Sequence, residues 1–146
     1  MRAVYKGGSE SSPSGPERKH VGNQIVHFEI LGDDAAATKR FYTELFDWKL
    51  NEIGGPSEYA TVDTGGGEGA IGGGLGGAPE GFEGHVTFYV DVDDVGSALR
   101  RAEELGGTSV MGPHRVEGPE TGPEPFEIGM FRDPEGRMIG LHSRLD

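Results

Sequence analysis

Two periods alternate along the chain. Over residues 24–31, Val26, Phe28 and Ile30 fall on one side of an extended segment and His27, Glu29 and Leu31 on the other, as in a strand with unlike faces. Residues 35–46 switch to helical spacing. Ala37, Phe41 and Leu45 recur every fourth residue with Tyr42 and Phe46 beside them, which predicts an apolar stripe against the core and leaves Lys39, Arg40, Thr43 and Glu44 to water. Asp33 and Asp34 stand just ahead, where a carboxylate accepts from the orphan amides of a first helical turn. Short strands are expected over 48–53 and 58–64, separated by the turn signal Gly54-Gly55-Pro56.

The second half repeats this opening. Residues 85–92 set Val86, Phe88 and Val90 against His85, Thr87 and Tyr89, and Asp94 caps a helix whose apolar stripe is Val95, Ala98, Leu99, Ala102 and Leu105. Gly106-Gly107 ends it. The spacing from Asp34 to Leu45 equals that from Asp94 to Leu105. Strands over 126–132 and 137–143 flank Asp133-Pro134-Glu135-Gly136, whose residues suit a type I turn, so they form a hairpin. The expected fold is α+β: one domain over 21–146, built from two tandem modules at about 21–80 and 84–146. Gly65 to Gly77, dominated by glycine, and Gly112 to Pro125, rich in proline and acids, resist a regular reading; the second is expected to be a surface loop or lid.

Composition narrows the chemistry. A chain of 146 residues supports one sizeable core. The formal charge of -12 opposes nucleic acid or an anionic membrane as the main partner and leaves a neutral or cationic small ligand open. With no cysteine there is no disulfide, thiolate nucleophile or cysteine-bound zinc. No apolar run reaches the roughly 20 residues of a membrane span, and residues 1–20 lack the apolar segment of a secretory signal. Their Gly, Ser, Pro and charge content predicts a flexible tail, and the whole points to a soluble, cytoplasmic protein.

Gly67-Glu68-Gly69-Ala70-Ile71-Gly72 matches the spelling G-x-G-x-x-G, but a dinucleotide site needs a helix to open there, and the glycines that follow cannot continue one. A loop leading into a glycine-rich strand is the better reading. No nucleophile elbow, H-E-x-x-H or P-loop occurs. The histidines carry more. His27, His85 and His142 each alternate with apolar neighbours on a strand, and Glu29, Thr87 and Tyr89 add acceptors and hydroxyls to the same faces. Imidazole suits both divalent transition metals and proton transfer near neutral pH, so these six residues form the expected ligand-binding surface.

In this order and spacing, the strand with His27, the helix ending in Phe41-Tyr42-Thr43-Glu44-Leu45-Phe46-Asp47-Trp48, the strand led by His85 and the turn from Asp133 to Arg137 resemble the vicinal oxygen chelate superfamily. This is the group of glyoxalases, bleomycin-resistance proteins and extradiol dioxygenases. Asp47 stands where that helix usually ends in glycine. The resemblance implies two βαβββ modules whose sheets form a cup, often completed in a homodimer. It implies further that metal-using members take one ligand from the first and one from the last strand of each module. The first-strand positions match His27 and His85. The last-strand positions, glutamates in metal-dependent glyoxalases, fall at Gly140 and within Gly72-Gly73-Gly74. The expectation is therefore a cup for a small molecule, lined by His27, Glu29, His85, Thr87, Tyr89 and His142, with no metal and no cofactor. The rival is a metal-dependent lyase, isomerase or dioxygenase-type enzyme using His27 and His85 with Glu29 or His142 as substitute ligand. A partner-binding module without a ligand cavity is the third class.

Overall fold

The computed structural model describes residues 21–117 and 124–145; the tail expected over 1–20 lies outside them. Among the described residues, eight strands and two helices follow in the order β1 (Ile25–Gly32), α1 (Ala35–Phe46), β2 (Lys49–Gly54), β3 (Tyr59–Asp63), β4 (Gly72–Gly77), β5 (His85–Asp91), α2 (Val95–Glu104), β6 (Thr108–Val116), β7 (Phe126–Arg132) and β8 (Met138–Arg144). The strands make one mixed sheet in the order β2-β3-β4-β1-β5-β8-β7-β6. Each module folds the same way. Its first strand lies parallel to its last, β1 on β4 and β5 on β8, and the modules join where β1 runs antiparallel to β5. This is the α+β arrangement of two βαβββ units that the sequence implied.

Both helices start as expected. The Asp34 carboxylate accepts from the Ala37 amide at 3.0 Å, and the Asp94 carboxylate from the Ser97 amide at 2.8 Å. At the other end of α1, Asp47 takes the left-handed conformation (φ 57°) that glycine usually fills, and its N–H closes on the Thr43 carbonyl at 2.9 Å. The turn between β7 and β8 closes with the Gly136 amide on the Asp133 carbonyl at 2.8 Å.

The α2 stripe packs as read: Val95 and Leu99 are buried with Leu141, against Val92, Ala98 and Phe131, although Leu105 stays exposed. The α1 stripe does not. Phe41, Leu45 and Phe46 are more than half exposed, whereas Lys39 and Thr43, assigned to water, are half-buried. α1 lies across β4 and β1, turned so that Ala35 is buried at its foot and Lys39 reaches Glu52 at 2.7 Å. Tyr42 and Phe46 turn sideways onto Trp48, which also meets Phe28 at a ring-centroid distance of 5.3 Å. The apolar faces of β1 and β5 are also open in part. α1 covers β4 and β1 and α2 covers β6, β7 and β8, so Val86 is 75 % exposed and Val26 and Phe88 stand at the surface.

The two irregular segments resolve differently. Residues 72–77 form β4, an inner strand of the sheet, as the reading of a loop leading into a glycine-rich strand expected. The expected loop at Gly112 to Pro125 begins as strand: β6 runs to Val116, with its register broken by irregularities near Met111 and His114, which hid its alternation in the sequence. Residues 118–123 lie outside the described ones.

Leu75 is fully buried on the helix side of β4 beside Ala60 and Val62. Leu75→Ala should lower unfolding free energy by about 2–5 kcal/mol in urea titration. A cost below about 0.5 kcal/mol would mean that β4 does not occupy the centre of the sheet.

Candidate functional site

The β1–β5 junction decides which side chains meet. His27 pairs across it with Tyr89, Glu29 with Thr87 and Leu31 with His85. Alternation puts all of these except Leu31's apolar group into one polar row on the face away from the helices. Because His85 sits opposite Leu31, the two histidines flank Glu29 from opposite ends instead of standing side by side.

Glu29 is 6 % exposed. One carboxylate oxygen accepts from Tyr59 Oη at 3.1 Å and the other lies 2.7 Å from His85 Nε2, while Tyr89 Oη is within 3.2 Å of both. His27 Nε2 is 2.8 Å from Tyr59 Oη. A carboxylate can only accept, and a phenol has one proton. With the Tyr59 and Tyr89 protons directed at Glu29, His27 donates its Nε2 proton to the Tyr59 oxygen and His85 donates its own to Glu29. The result is a continuous chain, His27–Tyr59–Glu29–His85, with Tyr89 as a second donor to its centre.

The remaining expected residues stand at its margin. Thr87 is buried and gives its hydroxyl to the Met138 carbonyl at 2.6 Å, tying β5 to β8. His142 shares the face but bonds Asp91 through Nδ1 at 3.1 Å, with the Phe126 ring 5.1 Å away. Tyr59, at the centre of the network, escaped the sequence reading. The available signal was indirect: a run of glycines on β4 leaves space that a bulky neighbour must fill.

Electrostatics follow the burial. Desolvation holds the His27 imidazole below the ordinary histidine range; the Glu29 charge opposes this and His142 adds to it. Tyr59 and Tyr89 are pushed well above the ordinary phenol range, first by desolvation and then by Glu29, whose charge and hydrogen bonds both favour the protonated phenol.

The model of the Glyoxalase/Bleomycin resistance protein/Dioxygenase superfamily matches residues 24–141. The chain belongs to this superfamily. It is 33 % identical over 117 residues to the Mycobacterium bovis protein named "Putative glyoxylase CFP32", covering 77 % of this chain and 42 % of that one, so it spans less than half the length of this relative. Its fold is similar to that of a superfamily member from Vibrio splendidus 12B01 (TM-score 0.57, 16 % identity, 84 % of this chain and 99 % of the other). The same TM-score and identity relate it to methylmalonyl-CoA epimerase from Mycobacterium tuberculosis, over 84 % of this chain and 88 % of that enzyme.

The last-strand glycines that the resemblance singles out lie beside the polar row. Gly74 pairs with Glu29 and Gly140 with Tyr89, and Glu29 and Tyr89 stand equally far ahead of their helix caps. The two glycines are thus equivalent in the two modules, and a tyrosine covers each. A Cβ at Gly74 would fall inside the Tyr59 phenol, and one at Gly140 would lie 2.5 Å from the Tyr89 ring. Among the described residues no three His, Asp or Glu side chains converge in a metal-ligating group.

Two outcomes follow. Gly74→Ala should cost about 1–3 kcal/mol through overpacking, and adding Tyr59→Ala should make the pair less destabilising than the sum of the two singles. Additive costs in a double-mutant cycle would separate the glycine from the tyrosine. For the phenols, the unfolded chain ionises near the ordinary phenol value of 10.0 while the folded chain keeps Tyr59 and Tyr89 protonated. Their contribution is therefore present below that pH and lost as pH rises beyond it. Near-ultraviolet titration should show two phenolates appearing only with unfolding, and Tyr59→Phe/Tyr89→Phe should flatten the alkaline fall in stability. All phenols ionising in the ordinary range while the fold persists would refute the burial argument.

Proposed function

We propose that the chain is a small-molecule-binding protein of the glyoxalase and bleomycin-resistance type. Its ligand rests on the face of β4, β1, β5 and β8 around Glu29, and the site works without a tightly held metal. The observation that carries this reading is the replacement at Gly74 and Gly140. Where metal-dependent glyoxalases supply carboxylates, this chain supplies no side chain and lays Tyr59 and Tyr89 over the vacancies.

The one carboxylate left nearby, Glu29, is occupied by three internal donors, and His27 and His85 both direct Nε2 into the same network. A divalent ion bound to both histidines and Glu29 would have to displace Tyr59 and His85 from these bonds. His142 is turned to Asp91 on the flank of the cluster. The donor set therefore does not fit a superfamily-type metal, and the metal-dependent enzyme is the less favoured reading. His27, Tyr59 and His85, all half-buried, present the outer surface of the cluster to a ligand, with Glu29 and Tyr89 beneath.

A homodimer goes with this proposal. The exposed Phe41, Leu45 and Phe46 of α1, and Val86 and Phe88 between the helices, support it as apolar surface that the chain itself does not cover. A cytoplasmic site of action is part of the same reading; among the described residues no helix is long and apolar enough to cross a membrane.

The deciding measurement combines metal content by mass spectrometry, after incubation with Zn, Ni, Mn or Fe, with a small-molecule screen read by the imidazole NMR signals of His27 and His85. Substoichiometric metal under every condition and ligand-dependent shifts at these imidazoles are expected. Near-stoichiometric metal that disappears in His27→Ala and His85→Ala would overturn the metal-free reading.

A further inference from the structure

Charge and aromatic surface are arranged unevenly on the proposed ligand face. The four central strands, β4, β1, β5 and β8, contain two carboxylates, Glu29 and Asp91, and one permanently charged cation, Arg144, at the exposed end of β8. Glu29 lies beneath the surface at the middle of this face. Around it stand three rings: His27 and Tyr59, 6.4 Å apart and inclined by 18°, and Tyr89, whose ring meets His27 edge-on at 5.6 Å.

Every donor to Glu29 is a neutral group or a histidine. Two are phenols, which donate without carrying a charge, and the third is the His85 imidazole, whose Nε2 lies 2.7 Å from Glu29. Hydrogen bonds of this kind satisfy the geometry of a carboxylate but do not cancel its charge. No Lys or Arg is among its donors, and a buried negative charge projects through the low-polarity layer above it, here made of aromatic rings. The faces of such rings themselves attract cations.

From this arrangement we infer that the ligand of the face is a small organic cation, such as a protonated amine or an amidinium, seated on the His27 and Tyr59 rings with the Glu29 carboxylate behind them. The inference rests on the small-molecule reading above and adds the ligand's charge. It assigns Tyr59 two tasks: to hold Glu29 in place through its hydroxyl and to offer the cation its ring. The overall charge of -12 favours the same class of ligand by attracting it from solution.

Three probes of similar size test it on the full chain at neutral pH: benzylammonium, benzyl alcohol and benzoate. Binding is read by the His27 and His85 imidazole signals and by calorimetry. Benzylammonium should bind about 3–30-fold more tightly than benzyl alcohol, the range expected of a cation on aromatic faces, and benzoate more weakly than either. Glu29→Gln should reduce benzylammonium binding by a larger factor than benzyl alcohol binding, so that the preference for the cation shrinks. Because that variant disturbs a buried network, the ranking on the unmodified protein stands as the independent criterion. Benzyl alcohol or benzoate binding at these imidazoles as tightly as benzylammonium would overturn the cation and leave the small-molecule face intact. No binding of benzylammonium at millimolar concentration would also overturn the cation. The small-molecule face itself falls only if no compound of the wider screen moves these signals.

Discussion

Taking a carboxylate out of water costs several kcal/mol unless hydrogen bonds replace the lost solvation. Glu29 sits near the middle of an eight-stranded sheet with almost no exposure, so its surroundings must supply donors from several strands at once. Tyr59 comes from β3, Tyr89 and His85 from β5, and Glu29 itself from β1. The network therefore crosses the junction of the two modules and fixes their register through side chains as well as through backbone bonds. Among the described residues no buried side-chain polar atom lacks a partner, as this demand requires.

The glycines of β4 are the other half of this arrangement. A central strand made almost wholly of glycine has little side-chain packing of its own and loses much conformational freedom on folding. Its neighbours occupy the space instead. The Phe28 ring fills the position of a Cβ at Gly73 on the helix side, and the Tyr59 phenol does so at Gly74 on the opposite face. Gly140 allows the same for Tyr89 in the second module. Gly74 and Gly140 are thus clearances for aromatic rings, and the rings bring their hydroxyls to one central glutamate. The superfamily fold remains, with a hydrogen-bonded and aromatic cluster around Glu29 on the face away from the helices.

The sequence by itself determined the repeated module, because periodicity and helix caps are local properties. Asp34 and Asp94 marked both helix starts, the alternation around His27 and His85 marked the first strands, and Asp133 to Gly136 marked the final hairpin. It also placed His27, Glu29, His85, Thr87, Tyr89 and His142 on one kind of face. Local pattern misjudged α1, whose Phe41 and Leu45 remain exposed, because which side of an amphipathic helix meets the sheet is set by the sheet. It could not read β4, which has no side chains to alternate, nor β6, whose register is irregular. Only the tertiary structure decided that His27 and His85 flank Glu29, that Thr87 ties down backbone and His142 turns to Asp91, and that Tyr59 belongs to the Glu29 network at all. These are pairings between residues 30 to 60 positions apart, fixed by strand register across the sheet, and no local period in the chain encodes them.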